Sequence, residues 1–354
     1  MYNEINDIRN INEFKCITFS KFEKKLVKKE LIDCLQKNKL ESACYWSSEL
    51  ICAGHYSDLW EIIILYISRY IHLGNPKLPI YIGERINVFK TIVTNGYINN
   101  ELSMRNNIKI RNLFAEIIAT LCISRKKHCF QPVIINKKED FNMTTMATKL
   151  NAPNVKYGEE ILLDEDPKEL YIAINELAFN ISRDGKNVVN ACYWIEWIIE
   201  YTLLCKKRKE SCICSRRSFA NVMDIYQKNS IWIVWDCIQK ETLRRNSPLT
   251  SKIISSLLVI FCIRFTPGII KKRRFLIYFA IAILTEPLDL NIQLFSDKSK
   301  IQNVVNNINI IYKDIKHNEE APKTDYLRVN SRSTLEKTIE RLEKIQSTNI
   351  IPRI

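Results

Sequence analysis

The sequence predicts an all-α fold: two pseudo-repeated helical bundles with a C-terminal helical extension. Three observations predict it. Ala43-Cys44-Tyr45-Trp46 returns as Ala191-Cys192-Tyr193-Trp194. Each copy is followed by a second Trp-bearing apolar stretch, Leu59-Trp60-Glu61-Ile62 and then Ile231-Trp232-Ile233-Val234-Trp235. A recurrence of this kind marks a duplicated structural unit. Only 7 Gly and 10 Pro stand among 354 residues, too few for Gly-rich catalytic loops or a strand-and-turn architecture. The expected organisation is a first unit over 20–124, a seam over 125–165, and a second unit over 166–290 with an insertion at 206–217. A C-terminal part over 291–354 then carries a helix, a linker and a short amphipathic helix.

Residues 1–19 read as irregular. Ser20 is a suitable cap for a helix running to about Lys37, with Phe22, Leu26, Leu31, Cys34 and Leu35 apolar and Lys24, Lys25, Lys28 and Lys29 turned outward. The helix Leu40–Ala53 carries the first Ala-Cys-Tyr-Trp and stops at Gly54, a residue suited to the left-handed helix end. Ser57 is placed to cap Asp58–His72, which is apolar on most sides and therefore central. Gly74 to Pro79 forbids helix continuation. Helices follow over about Ile80–Thr94 and Arg105–Ser124.

Within the seam, Phe141–Leu150 reads as a short helix, and Asp166 before Pro167 as the cap of the next one. The second unit repeats the order: Lys168–Arg183, then Asn187 to about Cys205 with the second Ala-Cys-Tyr-Trp. After the insertion come a short helix over Phe219–Tyr226, then Ser230–Leu243, Ser247–Phe265 and Arg273–Thr285. The helix Phe295–Lys316 has Ile301, Val304, Ile308, Ile311 and Ile315 on one face. A linker over Glu319–Asn330 leads to an amphipathic helix from Ser333 to about Ile345.

The formal charge is +14. Such an excess favours polyanions: nucleic acid, an acidic membrane surface or an acidic protein partner. Heavy use of Ile, Asn and Lys is also what AT-rich coding produces, so part of the charge reflects codons. The 12 cysteines sit mostly in apolar helical runs and no N-terminal secretory pattern precedes them. That usage fits free thiols in a reducing compartment better than a disulfide framework. No stretch reaches the roughly 18 to 20 apolar residues that span a bilayer. The nearest, Ile253–Phe265 and Phe275–Leu284, read as buried helices.

Three kinds of site are conceivable. Cys205, Cys212 and Cys214 are candidate zinc ligands, with Cys192 or a histidine as the fourth, although Cys-x-Cys is an unusual spacing and no second clear pair exists. The alternative is a basic loop of reduced thiols. The Tyr-Trp pairs resemble base-stacking platforms, but their helical spacing among apolar residues fits core better. The basic clusters are Lys24 to Lys29, Arg125 to Lys127, Lys206, Lys207, Arg208 and Lys209 with Arg216 and Arg217, Arg244 with Arg245, and Lys271, Lys272, Arg273 and Arg274. The stretch Lys206–Arg217 has no counterpart in the first unit, and an insertion in one copy of a repeat often marks a functional face. The competing reading is a solvated face, or cations that complement a helix C-terminus. With four histidines dispersed along the chain, no Ser/His/Asp or Cys/His set can be assembled.

The first unit is similar to the C-terminal helical domain of RarA-type ATPases, relatives of clamp-loader subunits. The likeness rests on Glu41-Ser42-Ala43-Cys44-Tyr45-Trp46, Leu59-Trp60-Glu61-Ile62 and His72-Leu73-Gly74-Asn75-Pro76, and spans about 39–124. It implies a collar-like unit that mediates oligomerisation. The ATPase module has no counterpart, since the sequence contains no Gly-x-x-x-x-Gly-Lys-Ser/Thr. The whole chain also resembles uncharacterised proteins of large DNA viruses, at Thr324-Asp325-Tyr326-Leu327 and the paired Tyr-Trp motifs.

The expected function is a non-enzymatic adaptor or scaffold in viral DNA replication or processing. It would bind nucleic acid non-specifically and other viral proteins through its helical faces. The alternatives are a virion structural or assembly protein and a zinc-binding protein. The expected setting is the cytoplasm or nucleus of an infected cell, or the virion.

Overall fold

A computed structural model describes residues 4–98 and 100–320. The fold is all-α. Twelve α-helices follow one another among these residues, and no strand forms; Ile17 and Glu23 make one isolated bridge. In order they are α1 Lys24–Gln36, α2 Leu40–Cys52, α3 Tyr56–Leu65, α4 Leu78–Thr94, α5 Ile108–Ile123, α6 Met143–Ala147, α7 Tyr171–Ile181, α8 Val188–Arg208, α9 Ile231–Arg245, α10 Pro248–Cys262, α11 Ile270–Thr285 and α12 Lys298–Lys316. The linker after Glu320 and the amphipathic helix expected from Ser333 lie outside the described residues.

One continuous hydrophobic core runs through both halves. Helix α2 packs on α1, α5 and α12; α8 packs on α7 and α11. Helix α4 of the first half lies against α10 of the second. Helix α11 is the hub: Phe275 to Leu284 are all buried, and it touches α3, α7, α8, α9 and α10. An all-round apolar helix belongs in such a place. Helix α12 crosses back to α5 and α2.

The two Tyr-Trp motifs have the same local geometry. Tyr45 and Trp46 stand edge-on at 5.1 Å and 78°, Tyr193 and Trp194 at 5.1 Å and 81°. Their surroundings differ. Trp194, Trp232 and Trp235 are fully buried, whereas Trp46 and Trp60 are half-buried. These buried indoles belong to the core and have no exposed face for a base. Helix α3 widens into a π-helical turn over Tyr66–Ile71; α9 has no such turn. The seam satisfies that turn: Lys127 and Cys129 donate their N–H groups to the carbonyls of Ile71 (3.1 Å) and Arg69 (2.8 Å). The seam backbone passes so close that a Cβ on Gly74 would stand 2.4 Å from the Arg125 carbonyl oxygen.

Several expected helix starts are corrected. α1 begins at Lys24, not Ser20, because Ser20 is used elsewhere: its N–H and hydroxyl both donate to the buried Glu49 carboxylate, at 3.0 and 2.5 Å. Phe22 and Leu26 are consequently exposed. Ser57 caps nothing, since α3 already starts at Tyr56. Asp166 does not cap α7, because it is committed to an ion pair described below. The segment Phe219–Tyr226 forms only a 3-10 turn, Asp224–Tyr226.

The irregular N-terminal segment is anchored. Arg9 lies 4.8 Å from the ring centres of both Phe14 and Phe19 and pairs with Asp7 at 2.5 Å. Asp7 accepts the Glu320 N–H at 2.9 Å, and Asn106 exchanges two hydrogen bonds with the backbone of Ile5.

Among the described residues no single helix is long and apolar enough to cross a membrane. The bent pair α10 and α11, kinked by 118°, passes on length and composition together. Most of its apolar side chains are consumed by the core.

Candidate nucleic-acid interface

The site is built on the last turn of α8. The helix is buried from Ala191 to Ile199, apolar there except for Glu196, then turns polar and surfaces. It runs three residues further than expected and ends at Lys209, which takes the left-handed conformation at φ 60°. The Glu210 N–H returns to the Cys205 carbonyl at 2.9 Å and the Lys209 N–H to that of Lys206 at 3.3 Å. This pair of bonds is a Schellman closure, made here without the usual glycine. It leaves Lys206, Lys207, Arg208 and Lys209 exposed together at the negative end of a 21-residue helix dipole.

The start of α11 is brought alongside. Arg274 pairs with Glu196 at 3.0 Å and Lys271 pairs with Glu200. The ladder runs antiparallel, so the N-terminal end of α11 faces the C-terminal half of α8. Lys137, from the seam, reaches the same Glu200 at 2.9 Å. Burial opposes ionisation of Glu200, but hydrogen bonds from Lys271 and Lys137 outweigh it and hold the carboxyl below its ordinary range. Lys272, beside Lys271, is exposed and forms no ion pair among the described residues.

Two of the expected cations are corrected, because they are buried. Arg217 is 3 % exposed and donates to Asp166 at 2.7 and 2.6 Å, with Asp236 3.5 Å away. Arg273 is 3 % exposed; it points away from solvent and donates to the carbonyls of Phe261 and Ile263. Those are carbonyls at the end of α10, left without helical partners, so Arg273 closes that helix. Arg216 is exposed but tied to Asp224 at 2.9 Å and Gln227 at 2.5 Å.

The remaining clusters are partly engaged. Lys24 and Lys28 share Asp58, Arg244 pairs with Glu160, Arg245 with Glu241, and Lys127 with Glu286. Among the described residues, Lys206, Lys207 and Lys209 stay exposed without an ion pair at the end of α8, where Arg208 stands 4.0 Å from Glu210; Lys272 at the start of α11, and Lys25, Lys29 and Arg125 elsewhere, are likewise exposed.

The three candidate zinc ligands do meet. The chain reversal after Lys209 returns Cys212 to Cys205, and Cys212 interacts with both Cys205 and Cys214. Cys205 and Cys214 are buried; Cys212 is half-exposed. Among the described residues, however, no group of three or more His, Cys, Asp or Glu side chains is arranged to hold a metal ion.

Compared with protein-family models, curated proteins and solved structures, the chain matches none.

The sequence does not announce Glu196, Glu200, Lys137 or Asp236, and it offers Asp166 only as a helix cap. Each acts on a partner distant in the sequence, and no local spacing announces such a pair.

Proposed function

We propose that the chain is a non-enzymatic helical adaptor that holds nucleic acid by its phosphate backbone, at the joint face of α8 and α11. The observation that carries this reading is the exposed basic run Lys206, Lys207, Arg208 and Lys209 at the end of α8, the helix on which the start of α11, with the exposed Lys272, is docked through Lys271 and Arg274. Long basic side chains at an exposed helix end reach phosphates without reading bases, so binding is non-specific. Its driving force is counterion release. With about five phosphate contacts the logarithmic salt slope on duplex DNA is roughly −4 to −5. The setting proposed for it, viral DNA replication or processing, follows from the resemblance to proteins of large DNA viruses stated above.

Fluorescence anisotropy with labelled single- and double-stranded DNA across a salt series tests the reading. A variant carrying Lys206→Gln, Lys207→Gln, Arg208→Gln, Lys209→Gln and Lys272→Gln runs alongside. Salt-sensitive binding that the variant loses supports the interface. No binding at low salt, or equal binding by the variant, overturns it.

A second reading, a virion structural or assembly protein, is favoured by the scatter of the other basic clusters over the surface and their engagement in internal ion pairs. An acidic protein partner would then occupy the α8 and α11 face. Co-sedimentation with candidate acidic partners, in the absence of DNA binding, distinguishes it.

A further inference from the structure

Cys205, Cys212 and Cys214 form a set of thiols that the adaptor reading does not use. Three features set them apart from the other cysteines. The Schellman turn at Lys209 folds the chain back, and Cys212 interacts with Thr202 and Cys205 of the helix it has just left. Cys214 is pinned by its N–H to the Lys228 carbonyl at 3.0 Å, which holds its thiol against Cys212. Only Cys212 of the three has access to solvent; its two neighbours are buried. An accessible thiol between buried ones is the arrangement of a sensor cysteine with a resolving partner.

We propose that Cys212 is a site of oxidative thiol modification, with Cys205 as the resolving thiol that closes a disulfide across the Lys206–Ser211 turn. The oxidant is a hydroperoxide. The Cys212 thiolate attacks one peroxide oxygen and the O–O bond breaks. The sulfur becomes a sulfenic acid, and the second oxygen leaves with a proton as water or an alcohol. The Cys205 sulfur then gives up its proton and attacks the Cys212 sulfur. The S–O bond breaks, hydroxide leaves as water with that proton, and two electrons have passed from the thiol pair to the peroxide.

Cys205 is preferred to Cys214 as the partner on ring size. A Cys212–Cys214 bridge spans a single residue and forces the backbone, whereas the Cys205 bridge follows a reversal already in place. Cys214 has a separate task. Hydrogen bonding from its thiol is the largest influence lowering Cys212, followed against burial by Thr202 and Cys205, and brings Cys212 down to about 7. Cys214 itself is pushed up by that same bond and by burial. Among the other described cysteines Cys16 is exposed and serves as an internal reference.

The test uses the full chain. Iodoacetamide labelling is followed by peptide mass spectrometry from pH 5.5 to 9.5. Cys212 is expected to react with a midpoint near pH 7 and, at pH 7, about fivefold faster than Cys16; a lower thiol pKa raises the thiolate fraction more than it lowers nucleophilicity. Hydrogen peroxide followed by protease digestion is expected to link the Cys205 and Cys212 peptides, and the Cys205→Ser variant to trap a sulfenic acid at Cys212. If Cys212 labels no faster than Cys16, with a midpoint in the ordinary range above 8, the proposal is wrong. A Cys212–Cys214 link overturns the choice of resolving thiol. The wild-type labelling profile keeps the test decisive even if a variant fails to fold.

Discussion

Asp166 and Arg217, 51 positions apart in sequence, meet in a two-point ion pair with both side chains buried. Asp166 also accepts N–H groups from Ser215 at 2.9 Å and Leu163 at 2.9 Å, so both of its oxygens are occupied. Burial opposes ionisation of this carboxyl. The Arg217 guanidinium and the two backbone donors outweigh burial and hold it below the usual carboxylate range.

Removing one partner leaves the other charged and stranded. Arg217→Ala is expected to cost about 3–5 kcal/mol, read from the urea midpoint. Arg216→Ala, next to it but exposed, should cost less than about 1 kcal/mol. Equal losses would contradict the burial contrast between these neighbours.

His72 sets a pH dependence of opposite location. It is buried against Phe279, with ring centres 4.8 Å apart. Burial first, and the positive charge of Lys127 second, lower its pKa to about 4 from 6.5. The unfolded chain therefore binds a proton near pH 6.5 that the folded chain refuses until about pH 4. Stability from this residue is complete above pH 6.5 and declines as pH falls toward 4, by up to about 3 kcal/mol. The variant His72→Asn should flatten that part of the curve. Denaturant unfolding at pH 7.5, 6, 5 and 4 on both proteins measures the difference in slope.

The two tryptophans of the repeated motif should respond unequally. Trp194→Ala opens a cavity in a closed core and is expected to cost about 3–5 kcal/mol. Trp46 is half-buried beside Phe22, its ring centre 5.3 Å away, so Trp46→Ala should cost roughly half as much. Thermal unfolding of both variants checks this; equal costs would mean that the two environments are energetically alike.

Gly74→Ala is predicted to destabilise by about 1–3 kcal/mol, because the new methyl group meets backbone at 2.4 Å rather than a side chain that can move. At Gly83, where the same methyl group meets nothing within 4 Å, Gly83→Ala should be neutral or slightly stabilising within α4.

How much of this was legible in the sequence follows from the range of each interaction. The helices and the burial of Trp194, Trp197, Trp232 and Trp235 are written in local periodicity, and the reading found them. The end of α8 was misplaced by three residues, since a lysine in the left-handed conformation gives no glycine signal. Ser20 looked like a cap because nothing local shows that Glu49 claims it. At the candidate interface the basic residues were visible, but not their fates. Arg217 and Arg216 are adjacent and chemically identical, and only the fold decides that one is buried and the other exposed. Arg273 and Lys272 divide in the same way. The meeting of the three cysteines depends on the chain reversal after Lys209, which spacing alone does not announce.

The contact between α4 and α10 has a consequence during synthesis. The covering helix is translated roughly 150 residues after α4 is complete. At ordinary elongation speeds that is an interval of about 8–30 s. Through it, the apolar side of α4 that α10 will cover stands open to whatever the ribosome exit and its attendant chaperones present. The first half of the chain must either wait in that state or borrow a temporary cover before it can become native.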